Sequence, residues 1–135
     1  MEKFVDRWKT FAIIVSYDTI VEGDLYMPSS VQIRQILSDM RSAIDDGKFT
    51  HIDRYKNQNT LARLGIDWVS AKEEIYDLTE EDYYSGPEID RKYPDGDFLW
   101  IFKKNVLGQI IYIKFKILYQ ENNEVKVLSF HIDGE

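Results

Sequence analysis

Tyr112, Lys114 and Lys116 occupy alternate positions of one apolar run, and Ser129 and His131 repeat the same alternation farther along the chain. A phenol, two ammonium groups, a hydroxyl and an imidazole are the kinds of group that acid–base chemistry at an anion requires. Histidine, with an ordinary pKa of about 6.5, gives or takes a proton near neutral pH. Lysine stabilises charge that develops on an anionic group such as a phosphate. Each residue also has a plain structural reading. Lys114 would be the wet side of a half-buried strand, His131 an exposed strand end, and Tyr112 an aromatic partner for Phe102.

These residues lie within FLWIFKKNVLGQIIYIKFKILYQENNEVKVLSFH (98 to 131), three β-prone runs separated by NVLG and ENN, the pattern of an antiparallel meander. In the middle run Ile111, Ile113, Phe115 and Ile117 share one face, while Tyr112, Lys114 and Lys116 share the other. Taking Asn122-Asn123 as the centre of the second hairpin places Lys114 opposite His131 and Lys116 opposite Ser129. A three-residue first loop, with Gly108 left-handed, places Trp100 opposite Lys114 and Phe102 opposite Tyr112. The predicted outward face therefore carries Trp100, Phe102, Tyr112, Lys114, Lys116, Ser129 and His131. Trp100 also reads as a space-filling core residue, the commoner role of a large aromatic in a small domain.

The chain has 135 residues, enough for one domain with a sizeable core. It has no cysteine, which excludes disulfides and thiolate metal sites, and its two histidines lie far apart, which argues against a structural zinc site. No cofactor or metal is expected. The absence of cysteine fits a reducing compartment, and apolar runs such as 11 to 15 are too short to span a bilayer, so the expectation is a cytoplasmic protein away from membranes. A net charge of −7 argues against nucleic-acid binding by the whole surface. The charge is uneven, however. Residues 98 to 118 hold Lys103, Lys104, Lys114 and Lys116 with no acid, whereas residues 72 to 97 hold ten acids against three bases. Screening at physiological salt confines each charge to about 8 Å, so a basic sheet face can act locally.

Upstream, residues 1 to 26 form an extension of uncertain role, with a possible edge strand at 11 to 15. The working domain is expected at 27 to 135. Ser29 and Gln32 form a capping box before Ile33, Ile36, Leu37, Met40 and Ile44, an amphipathic helix ending near Gly47. A second helix is predicted from Gln58 to Leu64, stopped by Gly65, and a third opens on a Ser70–Glu73 capping box. Thr79 and Asp82 predict one further turn, and 85 to 97 reads as loop, broken by Gly86-Pro87 and Pro94. That loop carries Asp90, Arg91 and Lys92. Arg54, Lys56 and Asn57 make a second polar cluster, where Asn57 reads as a helix cap and the two bases as substrate contacts. Lys103 is a further candidate for a phosphate chain. His51 has no partner at metal-ligand spacing and reads as structural.

Taken in order, RYKNQNTLARLGI (54 to 66), LTEEDYYSGPEID (78 to 90), WIFKK (100 to 104), IYIKFKI (111 to 117) and VLSFH (127 to 131) resemble the MqsR family of toxins from bacterial toxin–antitoxin pairs. The resemblance covers roughly residues 29 to 131. It implies an α+β, RelE-like fold, an antiparallel sheet whose C-terminal three-stranded meander packs on N-terminal helices. It further implies metal-independent cleavage of messenger RNA, in which the ribose 2′-hydroxyl attacks the adjacent phosphate. Its expected partners are mRNA and a cognate antitoxin protein, with the ribosome as a further candidate. By motif, Tyr112 and Lys114 match the family's YxK strand, and Tyr84 matches the tyrosine that ends its acidic helix-to-loop segment. The sequence departs from the best-studied branch at Ser85, Ile101 and His131, where that branch has lysine, glutamine and lysine.

The resulting catalytic candidates are His131, Lys114, Tyr112 and Tyr84. The substrate-binding candidates are Lys103, Lys116, Asp90, Arg91, Lys92, Arg54, Lys56 and Trp100. Two other functions fit the same residues: a noncatalytic RNA- or protein-binding module, and an acidic inhibitor of a basic partner acting through residues 72 to 97.

Overall fold

The computed structural model describes residues 27 to 94 and 96 to 135. The strand expected over residues 11 to 15, and the role of the extension, lie outside the described residues. In chain order the elements are helix α1 (Ser30–Asp45), strand β1 (Phe49–His51), helices α2 (Tyr55–Leu64) and α3 (Trp68–Tyr76), and a 3-10 turn (Glu80–Asp82). Strands β2 (Tyr83–Glu88), β3 (Leu99–Val106), β4 (Gln109–Leu118) and β5 (Glu124–Ile132) follow. The fold is α+β, with a sheet ordered β1-β5-β4-β3-β2. It is mixed and not wholly antiparallel as expected, because β1 runs parallel to β5, with Phe49 beside Val125 and His51 beside Val127.

Local chemistry explains most boundaries. The Ser29–Gln32 capping box forms, with Gln32 N–H donating to Ser29 Oγ at 3.3 Å, and Gly65 ends α2 at φ +73°. Thr79 and Asp82 close the 3-10 turn as expected, Thr79 N–H donating to Asp82 Oδ2 at 2.9 Å. The expected Ser70–Glu73 box does not start α3. Asp67 caps the helix earlier, its Oδ1 accepting from Ser70 N–H at 3.0 Å, which lets Trp68 join the first turn. Helix α2 likewise begins three residues before the predicted start, and β2 occupies the beginning of the expected loop.

All three helices bury their apolar stripes on one side of the sheet. Ile36, Leu37 and Met40 of α1, Leu61 of α2 and Ile75 of α3 meet Ile111, Ile113, Phe115 and Ile117 of β4 in a single core. No helix of the described residues is long and apolar enough to cross a membrane.

Both predicted hairpin registers change. The first loop has two residues, Leu107 (φ +52°) and Gly108 (φ +88°), closed by Gly108 N–H donating to Asn105 Oδ1 at 3.0 Å. Shortening the loop by one residue inverts every side chain of β3. Trp100 therefore faces Phe115, and Phe102 faces Ile113, on the core side. Trp100 is 1% exposed, so its expected role as a substrate contact is corrected to core packing.

The second loop is longer than expected, with Leu118 opposite Glu124. Tyr119 leaves the ladder to pack into the core, where its hydroxyl donates to Asp39 Oδ2 on α1. As a result Lys116 faces Lys126, not Ser129. A β-bulge then inserts Leu128, and beyond it Lys114 faces Ser129 and Tyr112 faces His131. The expected Lys114–His131 pair is corrected to a diagonal relation on the same face.

Candidate functional site

The sheet face away from the helices carries three successive rows: Lys103, Tyr112 and His131; Ile101, Lys114 and Ser129; and Lys116 with Lys126. The bulge at Leu128 is what aims the second half of β5. In an unbroken register His131 would fall opposite Ile111 and point into the core. Helix α2 fixes the bulge from the sheet edge. Asn57, fully buried, donates from Nδ2 to Ile52 O at 2.9 Å and to Leu128 O at 3.1 Å, and accepts from Phe130 N–H at 3.0 Å. One turn on, Thr60 Oγ1 accepts from Ile132 N–H at 3.0 Å. These two side chains satisfy the edge of β5 past the end of β1, where open backbone groups would otherwise invite pairing. Asn57 is thus a buried clamp and not the helix cap expected, since Arg54 holds the cap position.

The imidazole of His131 lies over the ring of Tyr112, with centroids 5.2 Å apart and planes at 19°. It is 8% exposed, and its Nδ1 is 3.0 Å from Ile132 O. A carbonyl oxygen only accepts, so Nδ1 is the donor, and the tautomer this selects for a neutral imidazole has its lone pair at Nε2. Burial raises the pKa of Tyr112, assisted by the negative charge of Glu88, so the phenol stays protonated near neutral pH and serves as a donor. Diagonal neighbours on a sheet face lie roughly 7–8 Å apart, which puts half-exposed Lys114 within reach of a group bound beside His131.

Lys103 is already engaged. Its Nζ is 3.1 Å from Asp133 Oδ2 and 3.7 Å from the ring centroid of Tyr84, a residue that is 56% exposed. The hydrogen bond to Asp133 raises its pKa. Tyr84, Lys103, Tyr112 and His131 consequently gather at one end of the face, with Glu88 and Asp133 as the nearby acids.

At the other end, the residues after β2 fold over β4 through Asp90. Asp90 and Lys116 form a buried ion pair at 2.8 Å, and Asp90 Oδ1 also accepts from Lys92 N–H at 3.0 Å. Burial alone would raise the pKa of Asp90, but Lys116 and the backbone donors outweigh it and hold the carboxyl below its usual range. Between this loop and β5 lies a cavity of about 410 Å³ whose lining includes Arg54, Arg91, Lys92, Lys114, Lys116 and Lys126. Among the described residues Arg54, Arg91, Lys114 and Lys126 have no carboxylate within ion-pair distance.

The structure therefore brings together ten of the twelve candidates. Lys114, Lys116, Asp90, Arg91, Lys92 and Arg54 line the basic cavity, and His131, Tyr112, Tyr84 and Lys103 adjoin it. Lys56 is exposed on α2 and absent from the lining, and Trp100 is in the core. His51 stacks on Trp68 at 4.0 Å and pairs with Asp53, a structural role. Sequence reasoning missed Lys126, although its place between inward Val125 and Val127 marks it as outward, and missed Tyr93, Glu88 and Asp133, which carry no comparable signal.

What this arrangement can do is hold an anion against several unpaired cations, beside a base at Nε2 and a protonated phenol. Compared with models of known families the chain matches none, and compared with curated proteins it also matches none.

Proposed function

We propose that this chain is a metal-independent endoribonuclease, an mRNA interferase of the MqsR kind with a RelE-like arrangement of its sheet, working in the cytoplasm and held in check by an antitoxin. The observation that carries the reading is the convergence of Arg54, Arg91, Lys114 and Lys126 on one cavity next to the Tyr112–His131 stack. In the proposed reaction Nε2 of His131 takes the proton from a ribose 2′-hydroxyl. The freed oxygen attacks the adjacent phosphorus, the bond from phosphorus to the 5′-oxygen breaks, and that oxygen receives a proton from Tyr112. The products are a 2′,3′-cyclic phosphate and a 5′-hydroxyl. Lys114 stabilises the charge on the pentacoordinate phosphorus, and the remaining cations hold neighbouring phosphates. Ser85 and Ile101 contribute no charged group, so the work falls on the row that contains His131.

A second reading, a noncatalytic RNA-binding face, is favoured by the close cover over His131. One experiment separates the two. Purified protein is incubated with a single-stranded RNA in chelator, and the ends of the products are identified. Cleavage leaving cyclic phosphate, reduced by roughly 10²-fold or more in His131→Ala with the fold intact, supports the enzyme. Binding without cleavage, or equal cleavage by the variant, overturns it.

A further inference from the structure

A second concavity, of about 500 Å³, opens on the far side of the loop tip and shares Lys92, Tyr93, Lys116 and Lys126 with the basic cavity. Tyr93 stands at the junction. The residue is 55% exposed, yet its backbone is anchored, because Tyr93 N–H donates to Asp90 O at 3.0 Å while Asp90 is locked to Lys116. Two ammonium groups flank the ring, Lys116 Nζ at 5.3 Å and Lys92 Nζ at 5.7 Å from its centroid. An exposed aromatic residue with cations at its ring matches the two parts of a nucleotide, a base that stacks and a phosphate that pairs. Gln120 and Glu121 line the second concavity and offer hydrogen-bonding groups suited to a base edge.

Resting on the ribonuclease reading, we infer that the second concavity is a subsite for a nucleotide flanking the cleaved bond. The flanking base stacks on Tyr93 and its phosphate lies between Lys92 and Lys126. The substrate is then a single strand that continues past the scissile step across the β4–β5 face toward the loop. A paired base cannot lie against Tyr93, because its faces are already stacked within the duplex.

The test compares a dinucleotide and a six-nucleotide single strand as substrates for the wild-type protein, Tyr93→Ala, Tyr93→Trp and Lys126→Gln. The longer strand should be cleaved with the higher kcat/KM. Tyr93→Ala should lower that value about tenfold, chiefly through KM, and lower dinucleotide cleavage much less. Tyr93→Trp should restore it. Lys126→Gln should weaken binding of the six-nucleotide strand and reduce the salt dependence by about one phosphate contact, a change of roughly 0.7 in the logarithmic slope. If wild type cleaves both RNAs but Tyr93→Ala matches it on the longer one, or impairs the dinucleotide equally, the subsite is refuted while the ribonuclease reading survives. If wild type cleaves neither, both fall.

Discussion

Replacing Asn57 with alanine should be among the most damaging single changes outside the hydrophobic core, although the residue is polar and sits on a short helix. Its amide makes three hydrogen bonds, to Ile52 O, Leu128 O and Phe130 N–H. Each net bond of this type contributes about 1 kcal/mol, and a buried backbone group left without a partner costs about 1–3 kcal/mol. Water entering the space left by the amide would recover part of that, so the expected loss is about 3 kcal/mol. For a domain of this size a loss of that magnitude lowers Tm by roughly 10 °C. Asn57→Asp makes a sharper comparison. A carboxylate keeps the acceptor for Phe130 N–H but places negative charge against two carbonyl oxygens, so it should be no better than alanine. Thermal and urea unfolding, followed by circular dichroism, measure both variants. Because the clamp also holds the bulge that turns His131 outward, the folded fraction of Asn57→Ala should lose RNA cleavage beyond what its stability explains. A Tm within about 3 °C of wild type would refute the reasoning, since it would show that the edge of β5 is held by something other than this side chain.

The loop clasp makes a second prediction. Lys116→Met leaves Asp90 without its buried partner, so trypsin should nick after Arg91 or Lys92 at least about tenfold faster than in wild type, as read by mass spectrometry. Its pH dependence follows from the sign of the shift. The folded-state pKa of Asp90 is depressed, so its contribution is present above the unfolded value of about 3.9 and is lost as pH falls through the lower folded value. The stability gap between wild type and Asp90→Asn, measured by thermal unfolding, should therefore be full at pH 7 and close in strong acid; a gap that widens there would contradict it. Gly86 has φ +114°, and a Cβ built on it would stand 2.7 Å from Leu99 O, so Gly86→Ala should displace β2 from β3 and cost about 2 kcal/mol or more in urea unfolding. Trp100→Phe should lower stability through lost packing yet retain RNA affinity per folded molecule by fluorescence anisotropy, as a core residue and not a substrate contact would.

What could be read from the sequence, and what could not, divides along the range of the forces involved. The caps at Ser29 and Gly65 and the two faces of β4 depend on neighbours within a few residues, and they appear in the structure as the spacing predicts. The face of β3 was not legible, because Leu99, Trp100, Ile101 and Phe102 are all buried and their apolar run contains no alternation to orient it. Only the turn sets that strand's parity, and a one-residue difference in the turn moved Trp100 from the proposed site to the core. His131 shows the same limit from the other direction. Its side of the sheet agrees with expectation, but through compensating departures: Tyr119 leaves the ladder to reach Asp39, and the extra residue Leu128 restores the outward aim. The bulge is held from Asn57, 71 positions earlier in the chain, so no window around SFH contains its cause. The proposed chemistry therefore depends on a long-range polar contact rather than on the alternation of β5 alone. Substitutions on α2 that disturb Asn57 or Thr60 should consequently affect RNA cleavage although neither side chain faces the cavity, whereas changes at exposed Lys56 on the same helix should not.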